Sequence, residues 1–273
     1  MYDQLVADLF SADAGIRFYA AQRLGKLDDP RAGAALTEAL RDESAKVQYA
    51  ALSSLIKLEV MEALDPIITM LLADRSSRVW ELLKLSIGLR LRAGLLDLVR
   101  RGDLALSDRL YAALQTDELP EPKPLDEYQQ ALFMRLIGRT GDTRRLDDLL
   151  TLLDSDVLTL RVASVEGLGY LGDTRAVPTL VGVLTDPADA IRETAAEALG
   201  RIGDKSAFTG VLASLRDPNE WVRRAAAEAL GIFGDDRAVE ALTDALNDQE
   251  SMVQDAAFDS LKKLSSDHFT TTL

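Results

Sequence analysis

The stretch Ile191-Arg192-Glu193-Thr194-Ala195-Ala196-Glu197-Ala198-Leu199-Gly200 decides the fold. Ile191, Ala195, Ala198 and Leu199 recur at helical spacing and make one apolar stripe, while Arg192, Glu193, Glu197 and Arg201 lie off it. Copies of the string start at Ile16-Arg17, Leu160-Arg161 and Val222-Arg223, and each reaches a glycine nine residues on, at Gly25, Gly169 and Gly231. From Leu160 the aligned apolar positions run Leu160, Ile191, Val222 and Val253, a period of 31 residues, and Ile16 to Val47 takes the same step. A fixed period of this size with a helix inside each unit specifies a helical solenoid, because one unit cannot bury its stripe alone and neighbours must stack.

The remainder of the unit supplies a second helix. Asp186-Pro187 stands before the first helix, where Asp caps free amides and Pro fits the first turn. Gly203-Asp204 makes the turn out of it, with Asp204 placed as a cap, and Phe208, Val211, Leu212 and Leu215 form the second apolar stripe. The same grammar returns as Asp217-Pro218 with Gly234-Asp235, and at Gly172-Asp173 and Gly141-Asp142. The pairs Asp142/Arg144, Asp173/Arg175 and Asp235/Arg237 fall in the inter-helix turns. Together with Arg161, Arg192 and Arg223 they predict a ladder of charged contacts between repeats, a packing device rather than a binding stripe.

Leu5 and Leu9 align with Leu36 and Leu40, so the chain opens on a lone second helix, and it closes on a lone first helix from Met252 to Leu264. This organisation predicts repeats over 1–103, a divergent helix and connector over 104–128, regular repeats over 129–264 and a frayed tail over 265–273. Val79 to Gln129 is 50 residues, too long for one repeat. It contains an extra helix, Leu104 to Thr116, and then Pro120, Pro122 and Pro124 at alternate positions, which forbid a helix and favour an extended connector. That connector reads as a linker between two halves of the array, or alternatively as a partner-binding loop.

The unit Gly172-Asp173-Thr174-Arg175-Ala176-Val177-Pro178-Thr179-Leu180, followed by the string that stands most fully from Asp217-Pro218 to Gly231, resembles the short HEAT repeats of the phycobilin-lyase type. The likeness is specific over 129–264 and clear over 11–72. It implies an all-α fold, a right-handed α-α superhelix of about eight helix pairs with half-repeats at both ends. For function it implies only a broad range, since one repeat serves unrelated roles. One of those roles is a bilin lyase subunit or tetrapyrrole-handling chaperone acting on phycobiliproteins.

Composition narrows the chemistry. The formal net charge is −14, and no run of Lys and Arg overcomes that field, which argues against nucleic acid as a partner. Cysteine is absent, so thiolate catalysis and zinc–cysteine sites are excluded. The sole histidine, His268, lies near the end of the chain, leaving a nucleophilic triad without a base, and no His-Glu pair exists to hold iron as in the HEAT-like deoxyhypusine hydroxylases. Met1 to Phe10 is no signal peptide and no stretch is long enough to span a membrane, so a cytoplasmic protein without cofactor or metal is expected.

What remains is a surface. Asp147, Asp148, Thr151, Thr179, Glu240 and Asp244 should point away from the stripes of the second helices and could meet a cation or a basic partner. Trp221, at a repeat position that accepts almost any residue, and Trp80, where other repeats carry Arg or Gln, are candidate interface anchors. The expected function is a non-enzymatic scaffold or adaptor that binds a protein partner, basic or phycobiliprotein-like, along the groove of the solenoid. The bilin lyase is the alternative.

Overall fold

The computed structural model describes residues 1–27, 29–73, 79, 88–115 and 125–270, with helix backbone alone at 88–92 and 266–270. Trp80, Pro120, Pro122 and Pro124 lie outside the described residues. Among the described residues all regular structure is helical, and the chain divides into two compact units, 1–136 and 137–273. The first unit holds α1 (Tyr2–Asp8), α2 (Ala14–Leu24), α3 (Ala32–Ala39), α4 (Ala45–Lys57), α5 (Leu64–Ala73), α6 (Gly88–Asp97) and α7 (Leu104–Leu114). The division falls inside α8 (Glu127–Thr140). The second unit continues with α9 (Leu146–Thr151), α10 (Leu158–Leu171), α11 (Val177–Gly182), α12 (Asp189–Ile202), α13 (Phe208–Ser214), α14 (Glu220–Phe233), α15 (Val239–Ala245) and α16 (Ser251–Thr270). The extra helix expected from Leu104 is α7, and Arg109 on it reaches Asp65 and Thr69 of α5. The backbone of α16 is helical as far as Thr270, within the stretch expected as a tail.

In the second unit the first helices α10, α12, α14 and α16 pack side by side in one row, and the second helices α9, α11, α13 and α15 lie against that row. The row is tight for a reason written in the glycine column. A methyl group on Gly138 would stand 2.7 Å from the Gly167 Cα, and one on Gly169 2.8 Å from the Ala198 Cα. The same test at Gly200 and Gly231 gives 3.1 Å to the Ala229 Cα and 2.9 Å to the Ser260 Cα. Gly138, Gly169 and Gly231 therefore admit the backbone of the next first helix closer than a Cβ allows, and Gly200 admits it at a distance that a Cβ would reach only if its neighbour shifted. The column ends at α16, where Lys262 replaces glycine. Phe258, at the position held by the fully buried Val165, Ala196 and Ala227, is 61% exposed.

Two sets of Arg–Asp contacts fix the turns and the stacking. Gly172 (φ 72°) and Gly203 (φ 74°) end α10 and α12 in the left-handed conformation, and Asp173 and Asp204 then accept the N–H groups of Arg175 and Ser206. Arg175 and Arg237 close back on Asp173 and Asp235 within the same turn. The second set spans repeats. Arg192 donates to both Asp217 oxygens at 2.7 and 2.9 Å, Arg223 to both Asp248 oxygens at 2.8 Å, and Arg17 to both Asp42 oxygens at 2.7 and 3.0 Å. Asp217, expected as a helix cap, is thus the acceptor for the preceding repeat, and Asn219 caps α14 instead. Arg161 departs from the ladder: it donates to the Ser155 carbonyl, while Asp186, its counterpart, accepts from the Ala188 N–H.

These pairs set the response to acid. Hydrogen bonds from Arg237 and its N–H hold the Asp235 carboxyl down at about 2. The Arg223 guanidinium holds Asp248 below the carboxylate range; at Asp217 burial pushes upward, but Arg192 and the Asn219 N–H together outweigh it and hold the carboxyl down. Groups depressed in the folded state bind more protons when unfolded, so their contribution is complete above the ordinary carboxylate pKa of about 4 and is lost as pH falls through the folded value. Urea midpoints should therefore hold down to about pH 5 and fall between about pH 4 and 2. Asp248→Asn should make that fall shallower; an unchanged slope would mean the pair does not form.

Candidate functional site

The first helices of the second unit carry their polar side chains in columns that repeat with the 31-residue period. Tyr170, Arg201 and Ile232 make one column, Glu166, Glu197 and Glu228 a second one turn away, and Glu193 and Arg224 a third. All lie off the apolar stripe on α10, α12 and α14, which the glycine column holds in register. The columns are cross-linked. The guanidinium groups of Arg139 and Arg201 lie over the Tyr170 ring, 5.1 and 4.8 Å from its centroid, so one aromatic ring ties three successive first helices. Arg201 also meets Glu197 at 3.1 Å, and Arg224 meets Glu228 at 3.1 Å while lying over the Trp221 ring at 5.3 Å.

Two large apolar groups on this face are open to solvent: Trp221 is 44% exposed and Ile232 55%. Neither is needed to fill the core, since Val222 and Leu230 beside them are fully buried. Burial and then the neighbouring Glu197 push the Glu193 carboxyl above its ordinary value. The face thus combines apolar anchors with charges held in place by neighbours, the composition by which proteins recognise proteins.

The residues singled out on the second helices are dispersed. Asp147, Asp148 and Thr151 lie on α9, Thr179 on α11, and Glu240 and Asp244 on α15. The Thr151 hydroxyl donates to the Asp147 carbonyl of its own helix, and Asp148 stands 3.9 Å from Arg145. Asp244 lines a cleft of about 470 Å³ between α13 and α15, together with Thr209, Leu212 and Arg216. No group of three or more His, Cys, Asp or Glu among the described residues is gathered as a metal would require. Of the described candidates, Trp221 alone lies on the face of the first helices. The signal for the rest of that face was in the sequence, as polar residues recurring at one position of the first helix.

HEAT repeats match residues 2–85, 125–199, 146–216 and 183–262. The chain is a HEAT-repeat protein. Its helix pairs, glycine-closed turns and stacked rows are those of an all-α solenoid. Among solved structures, one of Kap95p bound to RanGDP is 15% identical, matching 96% of this chain and 41% of that one with a TM-score of 0.59. Human deoxyhypusine hydroxylase is 19% identical over 97% of this chain and 96% of its own, with a TM-score of 0.43. The complex of CpcE and CpcF of phycocyanin lyase from Nostoc sp. is 20% identical over 97% of this chain and 94% of its own, with a TM-score of 0.42. At these identities the likeness is one of fold. No curated protein matches the sequence. No helix among the described residues is long and apolar enough to cross a membrane.

Proposed function

We propose that this HEAT protein is a non-catalytic scaffold that binds a protein partner through the first-helix face of its second unit. The observation that carries the reading is the pair of exposed anchors, Trp221 and Ile232 on α14, on the face where ring and charge contacts tie α8, α10 and α12 and Arg224 lies between Trp221 and Glu228. A face already ordered by its own contacts loses little conformational freedom when it binds, so more of its contact energy appears as affinity. Glu166, Glu193, Glu197 and Glu228 outnumber Arg139, Arg201 and Arg224 there, so the partner segment that fits is basic and carries apolar side chains. The tight packing of the first helices, beside the cleft that separates α13 from α15, supports this row over the second helices as the inner side of the unit.

The experiment is recovery of partners by the tagged chain at moderate salt, with Trp221→Ala in parallel. The variant should fold normally and weaken capture by about 2 kcal/mol, roughly thirtyfold, as expected for a central aromatic anchor. Equal capture by both chains would remove the face from the account. The visible spectrum of the eluate tests the alternative, since a bound tetrapyrrole or a recovered phycobiliprotein would replace the scaffold reading with a bilin-handling one.

A further inference from the structure

The first unit carries different chemistry on the corresponding face. Its first helices α2 and α4 pack together, and each column of the second unit has its counterpart on them. Where the second unit has Glu193 and Arg224, the first has Phe18 and Tyr49; where it has Glu166, Glu197 and Glu228, the first has Gln22 and Ser53. Where it has Tyr170, Arg201 and Ile232, the first has Lys26 and Lys57, and Lys46 stands at the position of Trp221. No carboxylate occupies any of these first-unit positions.

Gly15 and Phe18 of α2 with Ala45, Lys46 and Tyr49 of α4 line an open, largely apolar cleft of about 770 Å³. The carboxylates nearest in sequence are already engaged: Asp13 accepts the Gly15 and Ile16 N–H groups, and Asp42 and Glu43 are held by Arg17. Lys26, Lys46 and Lys57 are exposed, and none forms an ion pair among the described residues. Lys46 and Lys57 lie three turns apart on one side of α4, on either side of Tyr49 in sequence. Burial pushes the Tyr49 hydroxyl above its ordinary value, so it stays a neutral donor at physiological pH. In a chain of net charge −14 this is a local basic, aromatic surface.

We infer that the first-helix face of the first unit binds an acidic peptide segment carrying an aromatic or large apolar side chain. That side chain enters the cleft against Phe18 and Tyr49, and the segment's carboxylates meet Lys46 and Lys57. The inference rests on the reading that first-helix faces are the binding faces of this protein, and it assigns the two units partners of opposite charge.

The test is fluorescence anisotropy with the full chain and a labelled random copolymer of Glu and Tyr, with polyglutamate and a Lys–Tyr copolymer as comparators. The Glu–Tyr copolymer should bind more tightly than polyglutamate, despite the net charge of the protein, and more weakly as salt rises. Lys46→Glu with Lys57→Glu should lower that affinity by about tenfold or more, and Trp221→Ala should leave it unchanged. Tyr49→Ala should reduce it to the polyglutamate level; if that variant unfolds, the exposed lysine pair decides. Binding indifferent to the lysine reversal, a preference for the Lys–Tyr copolymer, or no binding of the Glu–Tyr copolymer would each overturn the inference. Loss through Trp221→Ala alone would move the site to the second unit, overturning this inference while leaving the first-helix reading intact.

Discussion

Gly138→Ala should destabilise the second unit by about 3 kcal/mol, although it adds one methyl group and raises helix propensity. The reason is what the methyl would meet: the backbone of Gly167, with its Cα 2.7 Å away and its carbonyl carbon 2.8 Å away. Backbone in a packed helix cannot rotate aside as a side chain can, so α8 and α10 would have to separate and lose contacts along the row. Gly182→Ala is the control, because nothing lies within 4 Å of the added methyl there. That change should stabilise by about 0.5 kcal/mol through the unfolded state. Urea denaturation followed by circular dichroism distinguishes the two, and two substitutions of the same size moving the midpoint in the same direction would refute the packing account.

Arg192→Ala should cost about 2 kcal/mol, more than a surface ion pair supplies. The guanidinium joins the Asp217 carboxylate at 2.7 and 2.9 Å to the carbonyl of Asp186 at 2.9 Å, so its removal leaves both acceptors at a junction between repeats. The side chains of the pair are 12% and 9% exposed, so water compensates only in part. Arg192→Lys should recover little, because an ammonium cannot bond both carboxylate oxygens and the carbonyl in one plane. Arg161→Ala should cost less, since its guanidinium donates to the Ser155 carbonyl and meets no carboxylate among the described residues. A double-mutant cycle between Arg192 and Asp217 should show coupling above about 1 kcal/mol; additive effects would mean the contact contributes nothing of its own.

The fold was legible because its determinants repeat. One helix of the unit is weak information, but the same Ile/Val/Leu-Arg start and the same glycine at a fixed step over α10, α12 and α14 leave only stacking as a solution. The inter-repeat role of Arg192 and Arg223 was legible for the same reason. Their acceptors were not: Asp217 reads locally as a helix cap, and only the stacked geometry brings it to Arg192, 25 residues earlier. The candidate face was half legible. Trp221 stood out by its type, whereas Tyr170, Arg201 and Ile232 are ordinary singly and become a surface only when the glycine column sets their helices side by side. The Asp and Thr residues of the second helices lie off the stripe and read as a surface, but a helix pattern does not say which of two rows packs tighter.

Site-specific photo-crosslinking distinguishes recognition by the first helices from recognition by the second. A photoreactive residue placed at Ile232 samples the first-helix face, and one placed at Asp244 samples the second-helix cleft of the same unit. Position 232 should give a discrete partner adduct, reduced by Trp221→Ala, and position 244 should give none. An adduct from position 244 alone would contradict the first-helix reading and place recognition on the second helices.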